Sequence, residues 1–273
     1  ANAYFNRGDT RAKQEKYVEA ESDYTEAIQH YRQIGGHENI AHSYFNLGVI
    51  REIQNRHAQA ESDFTEAIQR YEQVDALRRA ADAYLSRGLV RSSQGKYIQA
   101  ENDFSAAIPL FEQRHADQQA AKAYKNRGWA RFNRGKYTQA EPDYTEAIQH
   151  FEQGNALRQN AEAHNDRGAA RYYQGKYAGA EADYSKAILF FNQIGANEQT
   201  FDSFKNRGDA RSSQGKYPQA ESDYTKSIQH YEQVSAFQSA ANAYLSRGGV
   251  HISMQQLKLA HRDLSQALEL LKD

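Results

Sequence analysis

Residues 121–144 read AKAYKNRGWARFNRGKYTQAEPDY, and three phrases inside that stretch return along the whole chain. The first, Asn126-Arg127-Gly128, reappears as Asn6-Arg7-Gly8 and Asn206-Arg207-Gly208. Ser86, Ser246 and Asp166 head three other copies, and Asn46-Leu47-Gly48 is the exception. The second, Gly-Lys-Tyr, stands at 95–97, 135–137, 175–177 and 215–217. The third, Ala-Glu-x-Asp-Tyr/Phe, stands at 20–24, 60–64, 100–104, 140–144, 180–184 and 220–224. The spacing is about 40 residues throughout, and self-similarity at such a period marks a repeat architecture. Repeats start at Ala1, Ala41, Ala81, Ala121, Ala161, Phe201 and Ala241. No shift in composition and no linker separates them, so residues 1–273 are expected to form a single array.

Each repeat reads as two helices. In the second, Tyr44, Leu47, Gly48 and Arg51 recur at three- and four-residue intervals, as do Ala60, Phe64, Ala67, Ile68 and Tyr71. Between them lies the breaker Gln54-Asn55-Arg56, matched by Gln94-Gly95-Lys96, where glycine suits the end of a helix. A second break falls near Ile34-Gly35-Gly36 and Val74-Asp75. Strand-like alternation is absent, and the fold class is all-α.

Small residues stand where helices must approach closely, at Gly8 and Ala20 and their equivalents. Large ones stand where gaps must be filled, at Tyr4, Tyr24 and Tyr31 and theirs. This set resembles the tetratricopeptide repeat, whose pattern has an aromatic at position 4, Gly or Ala at 8, Ala at 20, an aromatic at 24 and Ala at 27. The resemblance covers the whole chain. It departs in length, since the usual unit has about 34 residues and ends in proline. The longer unit is similar to the arrays of kinesin light chains and of the LGN/Pins adaptors, and the repeated phrases to bacterial members. The resemblance implies a right-handed superhelical solenoid of seven antiparallel helix pairs. Its first helices would line a concave groove that binds a protein or an extended peptide.

Mapped onto this chain, that groove is lined at about positions 2, 5, 6, 9, 12 and 13 of each repeat. Position 6 carries Asn6, Asn46, Asn126 and Asn206, and an amide both donates to and accepts from an extended peptide backbone. Phe45, Leu85, Trp129, Phe132, Tyr172 and Tyr173 are the expected apolar anchors, with Val49, Ile53 and Leu89 beside them, because interaction surfaces concentrate exposed aromatic area. Some of these side chains are expected to pack between repeats instead. Lys13, Lys122, Lys125 and Lys205 face a larger number of carboxylates, among them Asp9, Glu52, Asp82 and Asp209, so the lining is mildly acidic. Of the family's clamp for acidic tails, only Lys122, Lys125 and Asn126 match.

Composition narrows the alternatives. Lys plus Arg number 34 against 35 Asp plus Glu, a balance that argues against a nucleic-acid binder or a polybasic membrane patch. No cysteine is present, so thiolate chemistry is excluded, and no apolar run approaches the ~20 residues of a membrane span. A cytoplasmic setting is the expectation. Gly88 and Gly95-Lys96 lack the spacing of a phosphate-binding loop. Arg7-Gly8-Asp9 and Arg207-Gly208-Asp209 spell an adhesion tripeptide, but inside a helix, with the glycine turned to the packing interface. His30, His150 and His230 recur at one repeat position, too far apart to share a metal, and are expected at the solvent edge. No cofactor or catalytic grouping is implied. The alternative to a groove binder is a structural or regulatory oligomerisation segment of a larger protein.

Three further expectations concern packing. Arg11, Arg51, Arg91, Arg131, Arg171 and Arg211 vary in step with Glu21, Glu61, Glu101, Glu141, Glu181 and Glu221. In the last repeat they become His251 and His261, which suggests an Arg–Glu contact within a repeat or between neighbours. Pro109 sits deep in a second helix and predicts a kink or break over residues 105–110. Leu264, Leu268, Leu270 and Leu271 crowd the final helix, which predicts either a fragment of a longer protein or self-association through the seventh repeat.

Overall fold

A turn of three residues, four between Glu112 and Asp117, ends one helix and begins the next. In the computed structural model, which describes residues 1–271, Gly95, Gly135, Gly175 and Gly215 take left-handed φ values of 72–74°. Glu15, Asn55 and Gln255 hold the same position at 59–60° without being glycine. The following residue then serves both helices. The Lys96 N–H donates to the Arg91 carbonyl at 2.8 Å, while its own carbonyl accepts the Ala100 N–H at 3.0 Å. This Schellman-type closure satisfies the backbone without side chains, and none of the described helices has a side-chain N-cap bond. A second left-handed position, at Gly35, Asp75, His115, Asn155, Gly195 and Ser235, joins one repeat to the next.

Among the described residues the chain forms fourteen helices and no strand. They fall into two compact units, Ala1–Gly135 and Lys136–Asp273. The first holds α1 (Asn2–Lys13), α2 (Tyr17–Gln33), α3 (His37–Ile53), α4 (His57–Gln73), α5 (Leu77–Ser93), α6 (Tyr97–Glu112) and α7 (Asp117–Asn133). The second holds α8 (Tyr137–Gln153), α9 (Leu157–Tyr173), α10 (Tyr177–Gln193), α11 (Asn197–Ser213), α12 (Tyr217–Gln233), α13 (Phe237–Ser253) and α14 (Leu257–Leu270). Within each unit consecutive helices pack on one another, and the short turns make neighbours antiparallel. No described helix is long and apolar enough to cross a membrane.

The close approach of paired helices rests on glycine against an aromatic ring. A Cβ on Gly88 would lie 2.6 Å from Phe104, and one on Gly48 would lie 2.7 Å from Phe64. Gly8 and Gly208 meet Tyr24 and Tyr224 in the same way, so both adhesion-like tripeptides are packing elements. Tyr24, Tyr144, Tyr184 and Tyr224 are buried core, as expected.

The interior also carries charge. Asp23 is buried, and it accepts hydrogen bonds from Arg7 (2.6 Å) and Arg11 (2.7 Å). The same triad recurs with Arg87 and Arg91 on Asp103, Arg167 and Arg171 on Asp183, and Arg207 and Arg211 on Asp223. The Arg–Glu contact runs between neighbouring repeats: Arg51 to Glu21 (2.7 Å), Arg91 to Glu61 (2.9 Å), Arg131 to Glu101 (3.0 Å), Arg171 to Glu141 (2.9 Å) and Arg211 to Glu181 (2.9 Å). Arg51, Arg91, Arg171 and Arg211 each therefore join an aspartate of their own repeat to a glutamate of the repeat before.

That direction corrects the reading of the seventh repeat. His251 is buried with Nε2 3.3 Å from Asp263 and Nδ1 2.8 Å from Gln256 Oε1, whereas His261 is exposed. The two do not meet, because the counterpart of position 261 would belong to a following repeat. Pro109 does not interrupt its helix. Helix α6 continues through it and ends at Glu112, with 16 residues where most of its neighbours have 17. Pro109 itself is exposed, in the last turn of the helix, and the expected break is absent.

Candidate functional site

The first helix of each repeat leaves part of its surface unspent, whereas the second is committed to the core and the Arg–Asp–Glu lattice. Between α1 and α3 this opens a cleft of about 360 Å³. Its walls are Ala12, Val49, Ile50 and Ile53, and Asp9, Tyr24 and Asn46 bring polar atoms to it. The Tyr24 hydroxyl donates to Asp9 Oδ1 at 2.5 Å, and Asn46 Nδ2 donates to the same oxygen at 3.1 Å. Burial, reinforced by the bond to Asp9, pushes the Tyr24 phenol well above its ordinary range. Ile53 is half exposed, an uncommon setting for an isoleucine on a helix end that faces an apolar cleft.

The asparagines of position 6 are placed differently from one another. Asn6 is exposed, Asn46 is engaged with Asp9, and Asn126 donates to the Lys122 carbonyl of its own helix at 2.8 Å. Asn206 is partly buried on α11. The apolar candidates also divide. Phe45 meets Phe64 edge to face at 5.5 Å and packs on the core, as does Leu85 beside Phe104 and Ala130. Trp129 stays 39 % exposed with its ring against Tyr97 at 5.5 Å. Lys125 and Phe132 are partly buried on the same helix, α7.

In the second unit Tyr172 and Tyr173 belong to a cluster. Tyr173 stacks on Tyr137 at 4.9 Å, and Tyr172 stands edge-on to Tyr173 (5.7 Å) and Tyr177 (5.4 Å). Tyr173 is exposed, while Tyr172 also packs on the core around Tyr184. The tyrosines at the start of the second helices, Tyr97, Tyr137 and Tyr177, thus support the aromatic candidates. Sequence reasoning registered their Gly-Lys-Tyr phrase without assigning the ring a role. Of the histidines of position 30, His30 stacks on Tyr4 at 5.3 Å and His230 on Phe201 at 4.2 Å, both partly buried.

Two carboxylates on first helices differ from those in the lattice. Burial raises Glu52 and Asp82 above the usual carboxylate range, with His57 and Arg78 only partly offsetting it. In the lattice the outcome reverses. Burial of Glu141 is outweighed by hydrogen bonds from Lys176, Arg171 and Gln174, which bring its carboxyl down to about 2. Among the described residues no three His, Asp or Glu side chains converge as metal ligands.

A family model described as tetratricopeptide repeat matches residues 1–73 and 159–233, and a second model of the same description matches residues 121–153. No curated protein sequence matches the chain. Among solved structures, the apo form of RapI superposes with a TM-score of 0.71 at 12 % identity, over 99 % of this chain and 97 % of that one. A signal-transduction ATPase with a tetratricopeptide repeat sensor, from Pyrococcus horikoshii, gives 0.81 at 12 % identity, over 99 % of this chain and 42 % of that one. The Rap conjugation gene regulator of the plasmid pLS20, in complex with a Phr peptide, gives 0.51 at 18 % identity, over 98 % and 73 %. At these identities the likeness is one of fold.

Proposed function

The chain belongs to the tetratricopeptide repeat family, and from that premise we propose that it is a binding scaffold which takes a protein segment or extended peptide along the first helices of its repeats. The observation that carries this reading is the cleft between α1 and α3, where aliphatic walls and hydrogen-bonding groups share one opening. Binding sites combine apolar area with a few placed polar groups in this way. The structural neighbour solved with a peptide supports it at the level of the fold. Asn6, Asn46, Asn126, Asn206 and Lys125 are assigned to the ligand backbone and its polar groups. Trp129, Phe132, Tyr172 and Tyr173 are assigned to its side chains, together with whatever face of Phe45 and Leu85 their core packing leaves open. The role is non-catalytic, in keeping with matched models that describe a repeat scaffold and no catalytic family.

The test is a peptide array followed by chemical-shift mapping of a bound sequence. Perturbations along α1, α3, α5 and α7 are expected. Trp129→Ala is expected to weaken a ligand bound there by ~2 kcal/mol, since hot spots are aromatic, while the melting temperature barely changes. A steep fall in melting temperature with unchanged affinity would make Trp129 a core residue and sink this assignment. A second reading, self-association through the seventh repeat, is favoured by the exposure of Leu257, Leu268 and Leu271 on α14 and its following turn. Sedimentation equilibrium separates the two. Mass that rises with concentration, and is lost in Leu268→Glu, supports association.

A further inference from the structure

Asp9 has a twin in the sixth repeat, and beyond the shared tyrosine their partners differ. At Asp209 the Tyr224 hydroxyl donates to Oδ1 at 2.8 Å, and Lys205, one turn back on α11, places Nζ 2.8 Å from Oδ2. At Asp9 the Tyr24 hydroxyl and Asn46 hold Oδ1, and no described hydrogen bond or ion pair reaches Oδ2. The residue one turn back is Phe5, which stands edge-on to Tyr24 at 5.6 Å and offers no charge. The carboxylate therefore presents an oxygen without a protein partner beside aliphatic walls. An apolar ligand alone would strip water from that oxygen and leave it unpaired, which costs free energy. A lone carboxylate is also too few oxygens for a calcium site, which takes several.

We propose that the cleft beside Asp9 holds the ammonium group of a ligand lysine, with an aliphatic side chain of the same peptide segment lying on Val49 and Ile53. This rests on the reading of the first helices as a peptide-binding face and adds the chemical class of the ligand. Lys205 in the sixth repeat is an internal copy of the ligand group, supplied by the chain itself. Lys13, exposed on the rim of the first cleft, makes no ion pair among the described residues and competes with the ligand for Asp9.

The experiment uses the full chain and three synthetic peptides, Gly-Ser-Leu-Lys-Leu-Ser-Gly and the same sequence with norleucine or glutamate in place of lysine, each blocked at both ends. The lysine peptide is expected to shift the amides of Asp9, Asn46, Val49 and Ile53. It should bind about fivefold more tightly than the norleucine peptide, as fits one partly exposed ion pair, with the margin shrinking as salt rises. Asp9→Asn keeps an acceptor for Tyr24 and Asn46, and it should erase the margin without weakening the norleucine peptide. Equal binding of the lysine and norleucine peptides, or a margin that survives Asp9→Asn, overturns the lysine proposal while leaving the binding face intact. Failure of all three peptides to perturb α1 and α3 overturns both.

Discussion

Two glycines of first helices, at adjacent repeat positions, measure what the packing requires. Gly88 has no room for a methyl group, since a Cβ would stand 2.6 Å from Phe104, whereas Gly249 on α13 has nothing within 4 Å. Helix propensity alone favours alanine at both by roughly 0.5–1 kcal/mol. Gly88→Ala is nevertheless expected to destabilise by about 1–3 kcal/mol through overpacking, and Gly249→Ala to stabilise by up to about 1 kcal/mol. Denaturant unfolding of the two variants tests this, and equal effects would refute it. Asp63 supplies a second measurement. Leu47 stands where other repeats have the first arginine, so Asp63 keeps only Arg51, and burial lifts its carboxyl to about 6. Asp23, bonded by Arg7, is held below the usual range instead. A carboxyl whose folded pKa exceeds its unfolded value contributes stability in full below about pH 4 and loses it as pH rises through about 6. Carbon-detected NMR should find Asp63 titrating near 6, and Leu47→Arg should move the midpoint down by at least a unit.

At the scale of the helix, the turn decides more than the helix does. Glu15 and Gln255 occupy a left-handed position at φ 60° where Gly95, Gly135, Gly175 and Gly215 sit without strain. Glu15→Gly and Gln255→Gly are expected to raise stability by roughly 0.5–1 kcal/mol each, and Gly95→Ala to lower it by a similar amount. Thermal melts of the three variants check the sign. Pro109 marks the tolerance of the second helix. It costs a backbone bond yet leaves α6 continuous, because Pro109 itself is exposed and lies near the helix end. Pro109→Gln, the residue at positions 69 and 149, should therefore stabilise by about 1–3 kcal/mol without changing the fold.

At the scale of the molecule, stability is shared between neighbouring repeats. Glu181 is held at about 2, its burial outweighed by hydrogen bonds from Lys216, Arg211 and Gln214. Its contribution is present above the unfolded value of about 4.3 and is lost as pH falls through 2, so acid should loosen the α10–α11 contact before it reaches the apolar cores. The groups are partly exposed, which limits the Arg211–Glu181 coupling to roughly 1 kcal/mol or less. A double-mutant cycle at pH 7 and at pH 2 measures it, and an undiminished coupling at pH 2 would contradict the assignment. In a repeat array such nearest-neighbour terms set how far an opening spreads, so Glu181→Gln should also increase hydrogen exchange in α11.

Periodicity, turn residues and residue size were legible in the sequence because each acts locally. A glycine at position 15 ends a helix wherever the chain goes next, and a glycine at position 8 needs only the ring 16 residues on. The all-α class, the breaks at 54–56 and 34–36 and the tyrosine core followed from these local terms. The direction of the arginine contacts did not, because Arg51 meets a glutamate 30 residues earlier and an aspartate 12 residues later at once. The recurrence of Arg7 and Asp23 was visible, but nothing in their spacing declared a buried pair. For the candidate site, the aromatic and asparagine positions could be named from the repeat register alone. Which of them face open space was decided by packing: Phe45 turns to Phe64, Trp129 stays half open, and Asn46 reaches Asp9 across 37 residues. The free oxygen of Asp9 was beyond the sequence altogether. It depends on which hydrogen bonds the folded neighbours complete, and only the tertiary structure decides that.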